Sequence, residues 1–362
     1  MKYTIKEYDN VKLLRSENYN YNFDKNTGFF MRWGQTPQDD PDWCEFGPEI
    51  ADIEISTICN GINGTPCSFC YKSNSGNGKN MSLEVFQKIL RKLPKTVGQI
   101  AFGIGDIHAN PDLYSIMEAS RIHGIIPNVT INGWNLAGYD YHMLAKTCGA
   151  VAVSRYSPKD VCYDTVLKLS QKGLQQVNIH QLLCKQTIDQ CFEVMRDSYN
   201  DPRLSGLNSI VFLALKQCGR GRGLDSVSLS QYKQIMVYAL ENGVRIGFDS
   251  CSAPMFMKVI DELMVEMPDL MPPDKYKMYT TLAEPCESTL FSVYIDVEGN
   301  MYPCSFCENK FEGISVVDCD DFVEDVWHNE KVNAWRQNLL KSSEGGLVSG
   351  IRECPEYKIW SD

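Results

Sequence analysis

Short apolar segments alternate with amphipathic stretches along most of the chain from residue 51 onward. Seven of the apolar segments are rich in valine and isoleucine and are bounded by glycine, asparagine or proline, which is typical of buried strands. They cover residues 52–56, 99–104, 127–131, 150–154, 176–180, 209–215 and 244–248. We therefore predict seven strands that are separated by longer segments of another kind.

The stretches between these strands carry signals of helix termini. In "ANPDLYSIMEASRIHG" we expect Asn110 to be the N-cap and Gly124 to end the helix. Ser228 and Gln231 have capping-box spacing, and Gly243 follows as the terminator. Strands that alternate with helices predict repeated βαβ units around a parallel sheet. We therefore predict a partial (β/α)6-type TIM barrel, with a doubly wound sheet as the alternative. Either fold gathers functional groups at the C-terminal ends of its strands.

The alternation stops near residue 255. Residues 291–303 predict a hairpin with its turn at Glu298-Gly299-Asn300, and residues 322–340 have a helical pattern. The pattern predicts three parts, which are an N-terminal extension at 1–50, a barrel at 51–255 and a small C-terminal α+β domain at 256–362.

Composition and charge exclude some partners and raise a question about the cysteines. The chain of 362 residues has a net charge of −11 and no lysine- or arginine-rich run, which argues against nucleic acid as a partner. We expect no membrane association, because no apolar run reaches the roughly 18 residues of a membrane span. The beginning of the chain lacks the apolar core of a signal peptide, so we expect a cytoplasmic protein with reduced thiols. Its fifteen cysteines then need a role other than disulfides.

Three of these cysteines, Cys59, Cys67 and Cys70, follow the first predicted strand of the barrel. Iron–sulfur clusters are usually bound by four cysteines, so three thiolates would leave one iron of a four-iron cluster open to another ligand. The alternatives are a zinc site, for which Cys44 would supply the fourth ligand, or inert cysteines.

The segment resembles the radical SAM superfamily, in which three cysteines after the first barrel strand hold a 4Fe–4S cluster. The family's pattern is C-x3-C-x2-C with an aromatic residue before the last cysteine, and Cys67-Ser68-Phe69-Cys70 matches its second half. Seven residues instead of three separate Cys59 from Cys67, and we expect this glycine-rich insertion to loop out. The resemblance implies that S-adenosylmethionine binds the open iron and that Phe69 lies beside its adenine.

Three further segments that follow strands resemble the family's cofactor contacts. "FGIGDIHANPDL" resembles its GGEP region and aligns Gly105 and Asp106 with that motif, although the two flanking isoleucines depart from it. "VTINGW" resembles its TNG segment and implies that Asn132 lies near the cofactor. "VAVSRYS" resembles its SLD-type segment and implies that Ser154 lies near the ribose. The alternative roles are a plain turn at Asn132 and a helix cap at Ser154.

A second cysteine group lies in "PCESTLFSVYIDVEGNMYPCSFCENKFEG", which resembles the opening C-x(9–15)-G-x4-C of SPASM and twitch domains. Those domains bind auxiliary iron–sulfur clusters. The later cysteines of the full SPASM pattern are missing, so the resemblance implies one auxiliary 4Fe–4S cluster. The alternatives are Cys319 in place of the last ligand, and a zinc ribbon with the same spacing. The expected ligands are Cys286, Cys304, Cys307 and Cys354.

A few polar residues after later strands are candidates for substrate contacts. Cys251 follows the seventh strand and would donate a hydrogen atom to a substrate radical if it faces the cavity; otherwise it is a thiol without a role. Arg220 and Arg222 would clamp an anionic group such as a carboxylate, or lie in a solvated loop. His180 and Gln181 end the fifth strand and either line the cavity or belong to the core.

The resemblance implies a radical SAM enzyme that cleaves S-adenosylmethionine reductively to a 5′-deoxyadenosyl radical, which abstracts hydrogen from a substrate. A peptide or protein is the expected substrate, because SPASM and twitch relatives often modify peptides, and flavodoxin or ferredoxin is the expected electron donor. A nucleotide or another small molecule is the alternative substrate. The alternative from a different class is a zinc-stabilised binding protein without catalysis.

Overall fold

The structure is a computed structural model, and it describes residues 2–361. Its first part is a four-stranded antiparallel sheet whose strands follow chain order. No secondary structure was predicted for the N-terminal extension at 1–50, which contains this sheet. The four strands are β1 (Thr4–Glu7), β2 (Val11–Arg15), β3 (Asn20–Asp24) and β4 (Phe30–Trp33).

Seven parallel strands form the main sheet, and each lies beside its neighbour in the sequence. The strand order never reverses, so the doubly wound alternative is wrong and the partial TIM barrel is confirmed. The strands are β5 (Ile50–Glu54), β6 (Gln99–Gly103), β7 (Ile126–Ile131), β8 (Ala150–Ser154), β9 (Gln176–Leu183), β10 (Ser209–Ala214) and β11 (Ile246–Phe248).

Six helices connect these strands, which gives six βα units before the seventh strand. The predicted capping box is present: the Ser228 hydroxyl accepts a hydrogen bond from the Gln231 amide, and Gly243 ends the helix with a φ of 64°. The prediction that Asn110 is the N-cap was wrong, because the N-cap is Asp112, two residues later; the buried side-chain amide of Asn110 donates instead to two loop carbonyls. The helices are α1 (Leu83–Lys92), α2 (Leu113–Ile122), α3 (Gly138–Thr147), α4 (Lys159–Gln171), α5 (Ile188–Asn200) and α6 (Leu229–Asn242).

The C-terminal part extends the barrel sheet. The predicted hairpin is confirmed, and the Asp296 carboxylate accepts hydrogen bonds of 2.9 Å from the amides of Glu298 and Asn300 at its turn. The first hairpin strand pairs in parallel with β5, so these strands continue the same sheet. The predicted division at residue 255 stays a prediction. The elements are α7 (Ala253–Glu266), α8 (Pro273–Leu282), β12 (Ser292–Ile295), β13 (Asn300–Tyr302), β14 (Ile314–Ser315), a π-helical turn (Phe322–Trp327) and α9 (Glu330–Lys341).

The N-terminal sheet packs against the end of the barrel where the strands begin. The Lys12 ammonium donates to the carbonyl of Val97 at 2.7 Å, and the Tyr21 hydroxyl donates to the carbonyl of Thr96 at 2.9 Å. Both carbonyls lie just before β6. The opposite end of the barrel, where functional groups are expected, is therefore left to the loops and the C-terminal part. None of the helices within residues 2–361 has both the length and the apolar character needed to cross a bilayer.

Candidate cofactor and metal-binding site

The first three candidate thiols lie in the loop between β5 and α1, at the C-terminal end of the first barrel strand. The extra residues between Cys59 and Cys67 form a tight turn, as predicted, with the Thr65 amide donating to the Ile62 carbonyl at 3.0 Å. A Cβ added at Gly61 would lie 2.0 Å from the Thr65 carbonyl oxygen, so only glycine fits there. The insertion therefore lengthens the loop without moving the thiols away from the strand.

The three thiols interact with one another. A hydrogen bond from Cys67 lowers the pKa of Cys70 to about 5, and the same bond raises the pKa of Cys67. Burial and the Asp106 carboxylate raise the pKa of Cys59 to about 11, and the charges of Cys59 and Cys70 act on each other. Because the thiolate is the metal-binding form, Cys70 is the member of the group that is closest to a ligand state.

The loops after β6 and β7 bring Gly105, Asp106 and Asn132 to Cys59. The Asp106 carboxylate accepts hydrogen bonds from the Asn60 amide at 2.6 Å and from the Asn132 side chain at 3.0 Å. It also lies 3.7 Å from the Cys59 sulfur. A Cβ added at Gly105 would lie 2.3 Å from the Cys59 Cβ. These contacts tie the ends of three successive strands to the first thiol.

Phe69 and Ser154 meet at Tyr156, a residue that the sequence analysis did not single out. The rings of Phe69 and Tyr156 lie 5.4 Å apart between centroids, and Ser154 hydrogen-bonds to the Tyr156 side chain. Burial raises the pKa of Tyr156, and the charges of all three thiols raise it further. Tyr156 follows Ser154 by two residues. Its position just after a barrel strand is the only feature of the sequence that could have indicated its place in the site.

Arg220 holds part of the cysteine loop in place. Its guanidinium donates to the carbonyls of Cys67 at 2.9 Å and Asn74 at 3.0 Å, and its amide donates to the carbonyl of Cys70 at 3.0 Å. The neighbouring Gly219 has a φ of 55°, and a Cβ there would lie 2.2 Å from the Tyr71 carbonyl oxygen. Loop carbonyls therefore take two of the guanidinium donors of Arg220, and the two-arginine clamp stays a prediction.

The other arginine of this loop, Arg222, is exposed and makes no hydrogen bond or ion pair with any residue in 2–361. It lines a polar cavity of about 350 Å³ that is open to solvent. Four segments meet there, which are the end of the first cysteine loop (71–73), the Arg222 loop (218–222), the second cysteine loop (305–310) and the C-terminal tail at Tyr357. Other lining residues include Tyr71, Ser73, Phe306, Lys310 and Tyr357.

The four expected auxiliary ligands lie close together, and Cys251 lies with them. The sulfurs of Cys304 and Cys307 are 3.4 Å apart. The charges of Cys251, Cys354 and Cys304 all act on the buried thiol of Cys286, after burial itself, which raises its pKa most. Cys319 lies apart from this group, because its thiol donates to the Val316 carbonyl at 3.2 Å and its charged neighbours are Lys92, Asp325 and Asp321.

Cys251 follows β11 and is accompanied by a buried ion pair. Lys216, after β10, pairs with Asp249 and also hydrogen-bonds to the Cys251 side chain. Burial raises the pKa of Cys251 to about 12, so the side chain keeps its proton at neutral pH. His180 and Gln181 lie within β9 rather than at its end: Gln181 accepts a hydrogen bond from Arg155 at 3.3 Å, and burial lowers the pKa of His180 to about 4.

A second buried charge cluster joins the two cysteine loops. Lys72, two residues after Cys70, lies 3.1 Å from the Glu54 carboxylate and 2.5 Å from that of Glu308, which follows Cys307. The Tyr294 hydroxyl lies 2.9 Å and 2.7 Å from the same two carboxylates. No local pattern indicates this cluster, because its contacts between the two loops join residues 222 to 240 positions apart in the chain.

The donor atoms of both groups suit iron–sulfur clusters. Soft thiolates are the ligands that such clusters and zinc select. Within residues 2–361 no three histidine, cysteine, aspartate or glutamate side chains converge closely enough for a single metal ion. A four-iron cluster distributes its ligands over four irons. The first group offers three thiols, which would leave one iron open, and the second group offers four, one for each iron.

No protein-family model matches the chain, and no curated protein matches it. Solved structures do share its fold. Streptococcus suis SuiB bound to S-adenosylmethionine is 15% identical with a TM-score of 0.63, over 85% of this chain and 73% of SuiB. SuiB bound to its precursor peptide SuiA is 15% identical with a TM-score of 0.66, over 87% and 76%. Native anSMEcpe with bound AdoMet and Kp18Cys peptide is 15% identical with a TM-score of 0.59, over 86% and 91%.

These similarities, at identities of 15%, establish the fold. The architecture is the one seen in the solved structures that contain bound S-adenosylmethionine, so the fold implied by the sequence resemblance is confirmed.

Proposed function

We propose that this chain is a radical SAM enzyme that acts on a peptide. The observation that carries the proposal is the group of three thiols after the first barrel strand. It adjoins Gly105 and Tyr156, in a fold shared with structures that contain bound S-adenosylmethionine. When bound, the cluster and S-adenosylmethionine would together supply a 5′-deoxyadenosyl radical for hydrogen abstraction from the substrate.

The residues of the site divide into ligands and cofactor contacts. Cys59, Cys67 and Cys70 would hold the cluster, while their backbone is kept in place by Arg220. Phe69 would lie against the adenine, with Tyr156 beside it. The polar contacts would come from three residues at successive strand ends, which are Asp106, Asn132 and Ser154.

The C-terminal thiols would hold one auxiliary 4Fe–4S cluster. Its ligands would be Cys286, Cys304, Cys307 and Cys354, and the spatial grouping of these thiols without Cys319 supports that choice. Reduction of the clusters requires an external one-electron donor, for which flavodoxin or ferredoxin is the candidate.

The polar cavity beside Arg222 is the candidate route for the substrate. Its position between the two cysteine loops supports this role, and the free guanidinium would bind a carboxylate of the peptide. The peptides in the SuiB and anSMEcpe structures support a peptide as the substrate class. Cys251, which retains its proton, would serve as a hydrogen-atom donor to the substrate radical.

The decisive experiment compares the wild-type chain with the triple variant Cys59→Ala, Cys67→Ala, Cys70→Ala after anaerobic reconstitution. We expect the variant to lose formation of 5′-deoxyadenosine from S-adenosylmethionine under reducing conditions. Cys319→Ala is the matched control, because that thiol lies apart from both groups, and it should retain full cleavage. Undiminished cleavage in the triple variant would refute the proposal.

Metal analysis separates this function from that of a zinc-stabilised binding protein. We expect about eight irons per wild-type chain, taking about four for each cluster, with matching acid-labile sulfide. A colourless wild-type protein with zinc and no iron would establish the binding protein instead.

A further inference from the structure

A buried cation lies among the C-terminal thiols. Lys216 is 6% exposed and extends from the end of β10 toward the second cysteine loop, where its ammonium lies 5.0 Å from the centroid of the Phe306 ring. Phe306 stands between Cys304 and Cys307 in the chain, so this contact brings the ammonium to the expected ligand loop. A charge in so buried a position needs a structural partner or a function.

The partner of Lys216 is Asp249, but the ammonium has further neighbours. It forms a short ion pair with that carboxylate and hydrogen-bonds to Cys251. Its contact with the Phe306 ring places it against the loop of Cys304 and Cys307, whereas the Asp249 carboxylate accepts hydrogen bonds from Ser252 and Ala214 in the barrel. Of this ion pair, the ammonium is therefore the member that reaches the expected ligand loop.

Asp249 is itself held in place, which fixes the ammonium. Its carboxylate accepts hydrogen bonds from the Ser252 hydroxyl at 2.7 Å and from the Ala214 amide at 3.3 Å. Burial disfavours the charged lysine, but Asp249 and Cys251 outweigh burial and raise the pKa of Lys216. The side chain is thus a permanent positive charge that two neighbouring barrel strands hold against the cysteine group.

We propose that Lys216 sets the reduction potential of the auxiliary cluster. This inference rests on the proposed function, which supplies the cluster. Four thiolate ligands make such a centre negative, and one-electron reduction adds a further negative charge. A nearby cation in a poorly solvated site stabilises the reduced form, and net charge and hydrogen bonds near the sulfurs are known determinants of cluster potentials. The barrel would thereby control how readily the C-terminal centre accepts an electron.

The test is a redox titration of the full-length chain, monitored by electron paramagnetic resonance. Cys59→Ala, Cys67→Ala, Cys70→Ala forms the parent, so that any cluster signal comes from the C-terminal group. We expect Lys216→Met to lower the equilibrium constant for one-electron reduction at least tenfold, which is a shift of about 59 mV toward lower potential. Lys216→Arg keeps the charge and should stay within threefold of the parent.

Two further variants separate charge from folding. Lys233→Met removes a lysine whose partners are Glu262 and Glu266 on the outer helices, and it should leave the potential unchanged. Lys216→Met with Asp249→Asn removes both charges, so no unpaired carboxylate is left buried if the single variant fails to fold. This double variant should also have a lowered potential, because it removes the ammonium that lies against the loop of Cys304 and Cys307.

The outcomes distinguish this inference from the proposed function. Two results would overturn the role of Lys216 and leave the auxiliary cluster standing. One is a cluster signal with an unchanged reduction potential in Lys216→Met. The other is a reduction potential that falls as far in Lys216→Arg as in Lys216→Met. An unchanged potential in the double variant would overturn it in the same way. A parent without any cluster signal would refute the auxiliary cluster, and the role of Lys216 with it.

Discussion

Gly105 offers a sharp test of the first site, because a single methyl group there would collide with Cys59, one of the proposed ligands. A Cβ at this position would lie 2.3 Å from the Cys59 Cβ and 2.8 Å from the Cys59 sulfur. Ordinary contact between such atoms begins near 3.4 Å, so Cys59 or the loop after β6 would have to move by about 1 Å. The backbone of Gly105 has no positive φ, so Gly105→Ala acts through this contact and not through backbone strain.

The magnitude follows from the size of the displacement. Overpacking of this kind costs about 1–3 kcal/mol, which leaves a protein of this size folded. A misplacement of about 1 Å at a reacting centre can lower the rate by about 100-fold. We therefore expect Gly105→Ala to fold with a melting temperature close to that of the wild type. It should bind the first cluster incompletely and form 5′-deoxyadenosine about 100-fold more slowly.

The assay measures iron content and 5′-deoxyadenosine on the same reconstituted sample. Gly138→Ala is the matched control, because a Cβ at Gly138 meets no atom within 4 Å, and it should behave as the wild type. Full iron content together with a wild-type cleavage rate in Gly105→Ala would show that Cys59 is not held in a ligand position by this contact.

Three more predictions concern the neighbours of the thiols. In metal-free protein Cys70 should be alkylated half-maximally near pH 5, and because its pKa is lowered on folding, its stabilising effect should be lost as pH falls through that value; equal rates at Cys70 and Cys251 at pH 7 would contradict this. Tyr156→Ala should weaken S-adenosylmethionine binding about 2- to 10-fold in calorimetry, the worth of one aromatic contact, whereas Cys319→Ala should not. Arg222→Gln should raise KM for a carboxylate-containing peptide and leave substrate-free cleavage of S-adenosylmethionine intact; an unchanged KM would remove Arg222 from substrate binding.

The barrel could be predicted because its signal is local. Parallel strands that are buried on both faces carry runs of valine and isoleucine, and all seven runs became strands with ends shifted by a few residues. The capping box at Ser228 is local in the same way. The N-terminal sheet was missed because its strands mix aromatic and asparagine residues, as in Asn20–Asp24, and are short.

The parts of the site that were not predicted depend on contacts between distant segments. Arg220 reaches Cys67 across 153 residues, and Lys72 reaches Glu308 across 236. Contacts across such sequence separations do not appear in the periodicity of the chain. Both arginines of the GRGRG motif were therefore predicted to bind a ligand. The structure gives the two arginines different surroundings: Arg220 donates to loop carbonyls, whereas Arg222 lines the polar cavity.

The link between the two cysteine loops has a consequence for how a substrate would be recognised. β12 pairs with β5, and Lys72 bridges Glu54 to Glu308, so both walls of the polar cavity belong to one hydrogen-bonded unit. A buried ion pair of this kind contributes little net stability, but breaking it is costly, which favours a fixed arrangement of the loops. Selectivity for a peptide would therefore come less from movement of the walls than from the charges along the cavity. Among the charged residues that line the cavity, Arg222 has no hydrogen-bond or ion-pair partner within residues 2–361. Its guanidinium would therefore contribute most to the selection of the ligand.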